Sequence, residues 1–187
     1  TGKRNLQGLD KPILDSLGID KNKPEKQQRN QTGSPILEEG DILLNTTLAE
    51  TSDWQQVDLP VVSTLRHFCI ETLSSYTEDN QACISEVDLL DDKGQPIDKT
   101  KWEVVYVSSE QADKNLGVAE NLFDGDISSF WHTDPATEPG QPHRIIVDIK
   151  EIYKISALRF KVRKGAFLSG KVKEINVYGR PQFFLFH

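Results

Sequence analysis

The stretch Ala119-Glu-Asn-Leu-Phe-Asp-Gly-Asp-Ile-Ser-Ser-Phe-Trp-His-Thr133 sets a tight acidic turn directly against a buried-type aromatic and a histidine. Gly125 lets Asp124-Gly125-Asp126 fold sharply, and Ser128 and Ser129 bring hydroxyl and carbonyl oxygens a few residues later. Hard cations are held by such mixtures of side-chain and main-chain oxygen. Taken alone the turn is common, and it fits a solvated loop as well as a cation site.

Outward from this turn the chain reads as short β-type runs divided by turn residues, from Gly40 onward. The runs cover about 41–46, 55–59, 65–73, 84–90, 101–107, 143–149, 155–163 and 172–178. Many short strands without a helical period of useful length predict an all-β fold, an antiparallel β-sandwich. In 155–163 the alternation is clearest: Leu158, Phe160 and Val162 share one face, and Arg159, Lys161 and Arg163 share the other. That basic face has two readings, a solvated sheet exterior or a binding surface. Residues 1–36 are polar and punctuated, an N-terminal extension. Within it Asp10 to Gly18 reads as a short helix, with Asp10 as N-cap, Pro12 in the first turn and Gly18 as C-cap, followed by a linker. Residues 37–187 are then the sandwich.

A length of 187 residues allows one good core and a tail. The formal charge of -7 argues against a general nucleic-acid binder, whose phosphate contacts need a basic surface. The charge is uneven. Ten Lys or Arg against three acids lie between His143 and Arg180, which predicts a two-signed surface. No run approaches the roughly 20 apolar residues that span a bilayer, and no signal peptide is present. The expectation is a mature fragment or excised domain. Cys69 and Cys83 are too few for a disulfide scaffold. If Phe68, Ile70 and Thr72 face inward, Cys69 faces outward while Cys83 is in phase with the inward Ser85, Val87 and Leu89, so bridged and free thiols both remain open. Asn30-Gln-Thr32 and Asn45-Thr-Thr47 match the short N-glycosylation pattern.

The whole string 119–133 resembles the signature of the galactose-binding-like β-sandwiches: the discoidin or coagulation factor type C domains, and most closely the family 32 carbohydrate-binding modules. The likeness extends to QPHRIIVDIKEIYKISALRFKVRKG (141–165) and to GKVKEINVYG (170–179). Upstream, LRHFCIETLSSYTEDNQACISEVDLLD (65–91) resembles a segment that closes the domain in family 32 modules, yet here it precedes the signature. The resemblance therefore implies a jelly-roll sandwich in circularly permuted order, which is tolerable where termini lie close together at the surface.

The resemblance also implies two sites. A structural calcium ion would take the carbonyl of Asn121, the carboxylate of Asp124, the carbonyl of Asp126, the hydroxyl and carbonyl of Ser129, the carbonyl of Ser85 and the carboxylate of Glu86. Seven oxygens with two carboxylates suit calcium better than magnesium. A sugar site would use His132 and Arg163 at the loop end, with Trp131 packed beneath them and Lys161 and Lys164 adding charge. Aromatic platforms usual in galactose binders are missing near Gln81 and Pro135, and the expected asparagine appears as Ser169 or is lost. Phe167 is left with three roles: a replacement platform, loop packing, or a hydrophobic spike for membranes.

Catalytic patterns are absent from the sequence. The four histidines, 67, 132, 143 and 187, show no metal-ligand spacing, no nucleophile elbow occurs, and no two acids stand out as a hydrolytic pair. The reading is a non-catalytic carbohydrate-binding module with calcium, from a secreted protein (extracellular or periplasmic). It would bind a glycan or polysaccharide, more acidic than neutral, and a catalytic domain could share its parent chain. The competing class is a protein or phospholipid interaction domain on the same sandwich.

Overall fold

The computed structural model describes residues 33–136, 140–163 and 169–187. Their strands are β1 (Pro35–Ile36), β2 (Ile42–Thr47), β3 (Gln55–Thr72), β4 (Cys83–Ile84), β5 (Glu86–Asp91), β6 (Glu103–Val107), β7 (Trp131–His132), β8 (His143–Lys161), β9 (Glu174–Arg180) and β10 (Leu185–Phe186). Only single 3-10 turns, Glu39–Asp41, Asp113–Asn115 and Ala119–Phe123, interrupt this β structure among the described residues. The helix expected over 10–18 lies outside them.

Where the sequence suggested separate strands at 55–59 and 65–73, and again at 143–149 and 155–163, the structure has the single long strands β3 and β8. The turn-like residues between those runs form bulges, not ends. Residues 59–62 oppose the single Ser156, and residues 149–152 then oppose the single Arg66, so the two excursions cancel and the register resumes at His67↔Asp148. Lys150 takes a positive φ of 73° within the second bulge. Asp148 holds this corner together. Its carboxylate accepts the Lys150 amide at 2.7 Å and both arms of the Arg66 guanidinium, at 2.9 and 3.1 Å. Burial alone would penalise the charged form, but the Arg66 fork and the Lys150 amide outweigh it and hold the carboxyl at about 2.

Each long strand serves both layers of the sandwich. Past the corner, residues 67–72 and 143–148 pair with each other, with β9 and β2 on one flank and β6 on the other. Before it, residues 55–65 and 153–161 pair with each other and carry β5. Side chains from both halves meet in one core that includes Phe68, Ile70, Ile145, Val147, Ile175 and Val177 with Val87, Leu89, Leu158 and Phe160. The alternation read in 155–163 holds: Leu158, Phe160 and Val162 are buried, while Arg159, Lys161 and Arg163 are half-buried.

The last residues were not foreseen as structure. They fold back over the outer face of the larger layer, where Phe184 buries Cys69, Ile146 and Tyr178 in a second, smaller core with Leu37 and Tyr106 at its edge. Cys69 does point away from the main core as the alternation implied, yet this cover buries it. Both cysteines are free thiols. Burial pushes the Cys83 thiol up to about 12 and Cys69 higher still. β10 then pairs with β1, Pro35 opposite Phe186 and Ile36 opposite Leu185, so the sandwich begins ahead of the boundary expected at residue 37. Two-residue strands carry no periodicity, which is why β1, β7 and β10 could not be read in advance.

Removing the Phe184 ring, which is only 4% exposed, should leave a cavity under the tail. Phe184→Ala is expected to cost about 3 kcal/mol in urea unfolding, and a loss below about 1 kcal/mol would show that the small core contributes little.

Candidate functional site

The signature turn and the strand β5 meet at Glu86. Glu86, 1% exposed at the start of β5, accepts the Gly125 amide on Oε1 at 2.8 Å and pairs through Oε2 with Lys99 Nζ. Asp124 accepts the Asp126 amide on Oδ1 at 2.9 Å and the Ser129 hydroxyl on Oδ2 at 2.6 Å. The Ser129 hydroxyl also lies 2.9 Å from the Asp126 carbonyl oxygen, which accepts the Ser129 amide at 3.1 Å. Asn121 sits in the middle of the 3-10 turn Ala119–Phe123 and donates its side-chain amide to the carbonyls of Asn115 and Phe130, fixing the loop at both ends. Ser85 donates its amide to the Lys161 carbonyl at 2.8 Å, next to Glu86.

Lys99 is the residue missed by sequence reasoning. It reaches Glu86, Asp88 (2.6 Å) and the Val87 carbonyl (3.2 Å) from a loop thirteen residues downstream of Glu86. No local spacing signals it, because a loop lysine looks like any solvated charge. Burial, and then the Asp124 carboxyl beside it, raise Glu86 to about 8, while Lys99 offsets part of that rise. Two acids so placed are what an oxygen-bound cation would relieve. Among the described residues no three His, Cys, Asp or Glu side chains converge on one point, so a cation here would depend on main-chain oxygens.

The second constellation is built on the ladder between β4 and β7, where Cys83 faces His132 and Ile84 faces Trp131. Trp131 is fully buried and donates its indole N–H to the Ser109 carbonyl at 3.0 Å. Its neighbours Phe130 and His132 point the other way along the strand, with ring centroids 6.4 Å apart. Arg163 lays its guanidinium on the Phe130 ring at 4.1 Å, so Phe130 links the histidine and the arginine. A cation lying over an aromatic face gains electrostatically from the ring quadrupole. The alternation of Phe130, Trp131 and His132 was the available signal for Phe130.

His132 is 4% exposed, and its ring nitrogens lie 2.5 Å from the Thr133 carbonyl (Nδ1) and 2.7 Å from Ser169 Oγ (Nε2). Its backbone is cradled by Gly117, where a Cβ would come within 2.9 Å of His132 Cβ. Thr133 completes the motif, taking the Ala82 amide at 3.0 Å and donating to Gln81 Oε1 at 2.6 Å. The basic row divides. Arg159 lies 4.6 Å over the Trp54 ring and 3.8 Å from Asp88, and Lys161 donates to the Ser52 carbonyl at 2.7 Å. Lys161 is thereby directed toward residue 52 and not to the His132–Arg163 pair. Lys164 and Phe167 lie outside the described residues.

With this arrangement in view, residues 104–182 match the model of the F5/8 type C domain. This segment is similar to the F5/8 type C domain. A sialidase from Micromonospora viridifaciens is 33% identical over 84 residues, which is 44% of this chain and 13% of that protein. The chain thus spans about an eighth of the length of the curated relative it matches. The matched segment holds the signature turn, β7, β8 and β9, and with them Asp124, Ser129, His132 and Arg163.

Glu86 makes stability depend on pH in a defined direction. The unfolded chain releases this proton near 4.5, whereas the folded protein keeps it to about 8. The contribution is therefore fully present below 4.5 and lost as pH rises through 8. In chelator, wild type should lose stability across this window relative to Glu86→Gln; parallel melting curves for the two proteins would refute the assignment.

Proposed function

We propose that this chain is a non-catalytic carbohydrate-binding module that stabilises itself with calcium and binds acidic polysaccharide at the His132–Arg163 end. The observation that carries the reading is the Arg163 guanidinium stacked on Phe130 beside His132. A guanidinium anchored over a ring keeps a fork of N–H donors that can grip a carboxylate or sulfate. The Arg163 charge favours an anionic ligand, whereas the platforms that favour neutral galactose are missing near Gln81 and Pro135. Gln81 is buried and bonded to Thr133. Arg163 and His132 would be the ligand-facing pair; Lys161 is committed to the Ser52 carbonyl, and Lys164 and Phe167 remain proposed ligand residues from the sequence alone.

The calcium reading is supported by the paired acids. Glu86 Oε1 and Asp124 would supply the charge, and the carbonyls of Asn121, Asp126, Ser129 and Ser85 with the Ser129 hydroxyl would complete the shell. Lys99 neutralises the far oxygen of Glu86, which leaves Oε1 as the one turned to the loop. The permuted strand order is supported by the extent of the family match. β2 to β5 lie outside residues 104–182, yet they pair into the same sheets. Secretion, and a catalytic domain in the same parent chain, belong to this proposal and draw on the partial likeness to a sialidase.

Calcium at a hundredfold excess over its dissociation constant should raise stability by about 2.7 kcal/mol. Asp124→Ala should abolish most of that gain, and a melting temperature indifferent to calcium and chelator would eliminate the metal. Titration calorimetry against polygalacturonate, a sulfated galactan and galactose addresses the ligand. Micromolar to millimolar binding to the acidic polymers is expected, weaker at high salt and largely lost in Arg163→Ala. Tight, salt-insensitive galactose binding would overturn the acidic reading, and silence with all three would overturn the module itself.

A further inference from the structure

The base of the His132–Arg163 end is held by a residue that no ligand needs to touch. Asp79 lies in the loop between β3 and β4, and its carboxylate gathers donors from both sides of the site. Oδ1 accepts the Ser75 hydroxyl at 3.1 Å and the Gln81 amide at 3.2 Å, both within its own loop. Oδ2 accepts the Gly170 amide at 3.0 Å, ninety-one residues away, and Thr77 Oγ1 lies 3.1 Å from the same amide. Gly170 in turn has almost no freedom. Its φ is +76°, a Cβ there would stand 2.9 Å from Ala82 C and Cys83 N, and its carbonyl accepts the Cys83 amide at 2.8 Å. Asp79 on the N–H and Cys83 on the carbonyl thus fix Gly170 against the end of β4.

The residue before Gly170 is Ser169, whose hydroxyl meets His132 Nε2 at 2.7 Å. The other ring nitrogen faces the Thr133 carbonyl, which can only accept. In the neutral ring Nδ1 therefore carries the proton, and Nε2 accepts from Ser169. That is the form less favoured by free histidine; the Thr133 carbonyl fixes the proton on Nδ1, and the Ser169 hydroxyl gives the buried Nε2 its donor. With its one proton committed to His132, Ser169 Oγ has only lone pairs left to offer.

We infer that Asp79 is a positioning residue, gripping the Gly170 amide so that the Ser169 hydroxyl stays on His132 Nε2 and the imidazole, with its Nδ1–H on the Thr133 carbonyl, is held at both nitrogens. The consequence for binding rests on the carbohydrate reading; the consequence for the imidazole does not. Burial works against a charged Asp79, yet the Gln81 amide, the Thr77 hydroxyl, the Gly170 amide and the Ser75 hydroxyl together hold its pKa below the ordinary carboxylate value, in line with that grip. In Asp79→Asn one edge of the side chain presents an NH2 where an oxygen accepted a donor, so one side of the clamp opens with almost no change in shape.

The test is nitrogen-15 NMR of the full chain, reading the His132 ring nitrogens and the exchange rate of the Gly170 amide, in wild type, Asp79→Asn and Ser169→Ala. Wild type should show a protonated Nδ1 and an accepting Nε2. Both variants should move the His132 Nε2 resonance toward that of an imidazole nitrogen with no hydroxyl donor while Nδ1 keeps its proton, and Asp79→Asn should also speed Gly170 exchange at least tenfold while amides of the β3–β8 ladder stay protected. Affinity for polygalacturonate should fall five- to tenfold in Asp79→Asn. Wild-type His132 signals in either variant would overturn the inference, as would a shifted ring with unchanged affinity. If no saccharide binds even wild type, the carbohydrate reading fails while the ring signals still decide the role of Asp79. Should Asp79→Asn not fold, Asp79→Glu, which moves the carboxylate one methylene outward, is read against the same signals.

Discussion

The fold turns on one ion pair at the corner of two strands. β3 and β8 must pass from one layer to the other without losing their mutual register, and each spends a four-residue bulge to do so. A bulge frees backbone groups from the ladder, and those groups need partners if the corner is to be defined. Asp148 supplies them by taking the Lys150 amide and the Arg66 fork together, joining the excursion of one strand to that of the other. The remaining elements attach to this frame: β9, β2 and β6 on one side of the corner, and β5 on the other.

Both candidate sites sit where short segments complete the frame. The signature turn reaches Glu86 at the start of β5, and β7 lies on β4 immediately before it, so three successive residues from Ile84 to Glu86 join the two constellations. This proximity explains why one fifteen-residue string contributes to both. Phe130, Trp131 and His132 alternate sides along the chain, which sends Trp131 into the core and leaves its two neighbours to face Arg163 and Ser169.

The sequence was most readable where periodicity or a dense local motif was available. The alternation in 155–163 assigned its buried face correctly, whereas the grouping of Asp124 and Ser129 with Glu86 followed from the resemblance and from no spacing within 119–133, which does not contain Glu86. Contacts set by tertiary structure alone left no such trace. Lys99 meets Glu86 because a loop folds back, Asp79 meets Gly170 across ninety-one residues, and Phe184 covers Cys69 from a tail too short to show a period. The joining of 55–59 to 65–73 was hidden for a related reason. Pro60 and the residues around it look like a turn, and only the compensating bulge in β8 turns them into a continuous strand.

Ser34 and His187 exchange two backbone hydrogen bonds, each donating its amide to the other's carbonyl, beside the short β1–β10 pair. Chain entering at 34 and leaving at 187 therefore does so from a single point on the surface. A tension applied between those two ends would open the pair like a zipper, loading its hydrogen bonds one after another and sparing the β3–β8 ladder, in which many bonds lie deeper in the fold. Joined to neighbours at both ends, the sandwich would hang to one side of the line of force, its core ladder unloaded until the β1–β10 pair had opened.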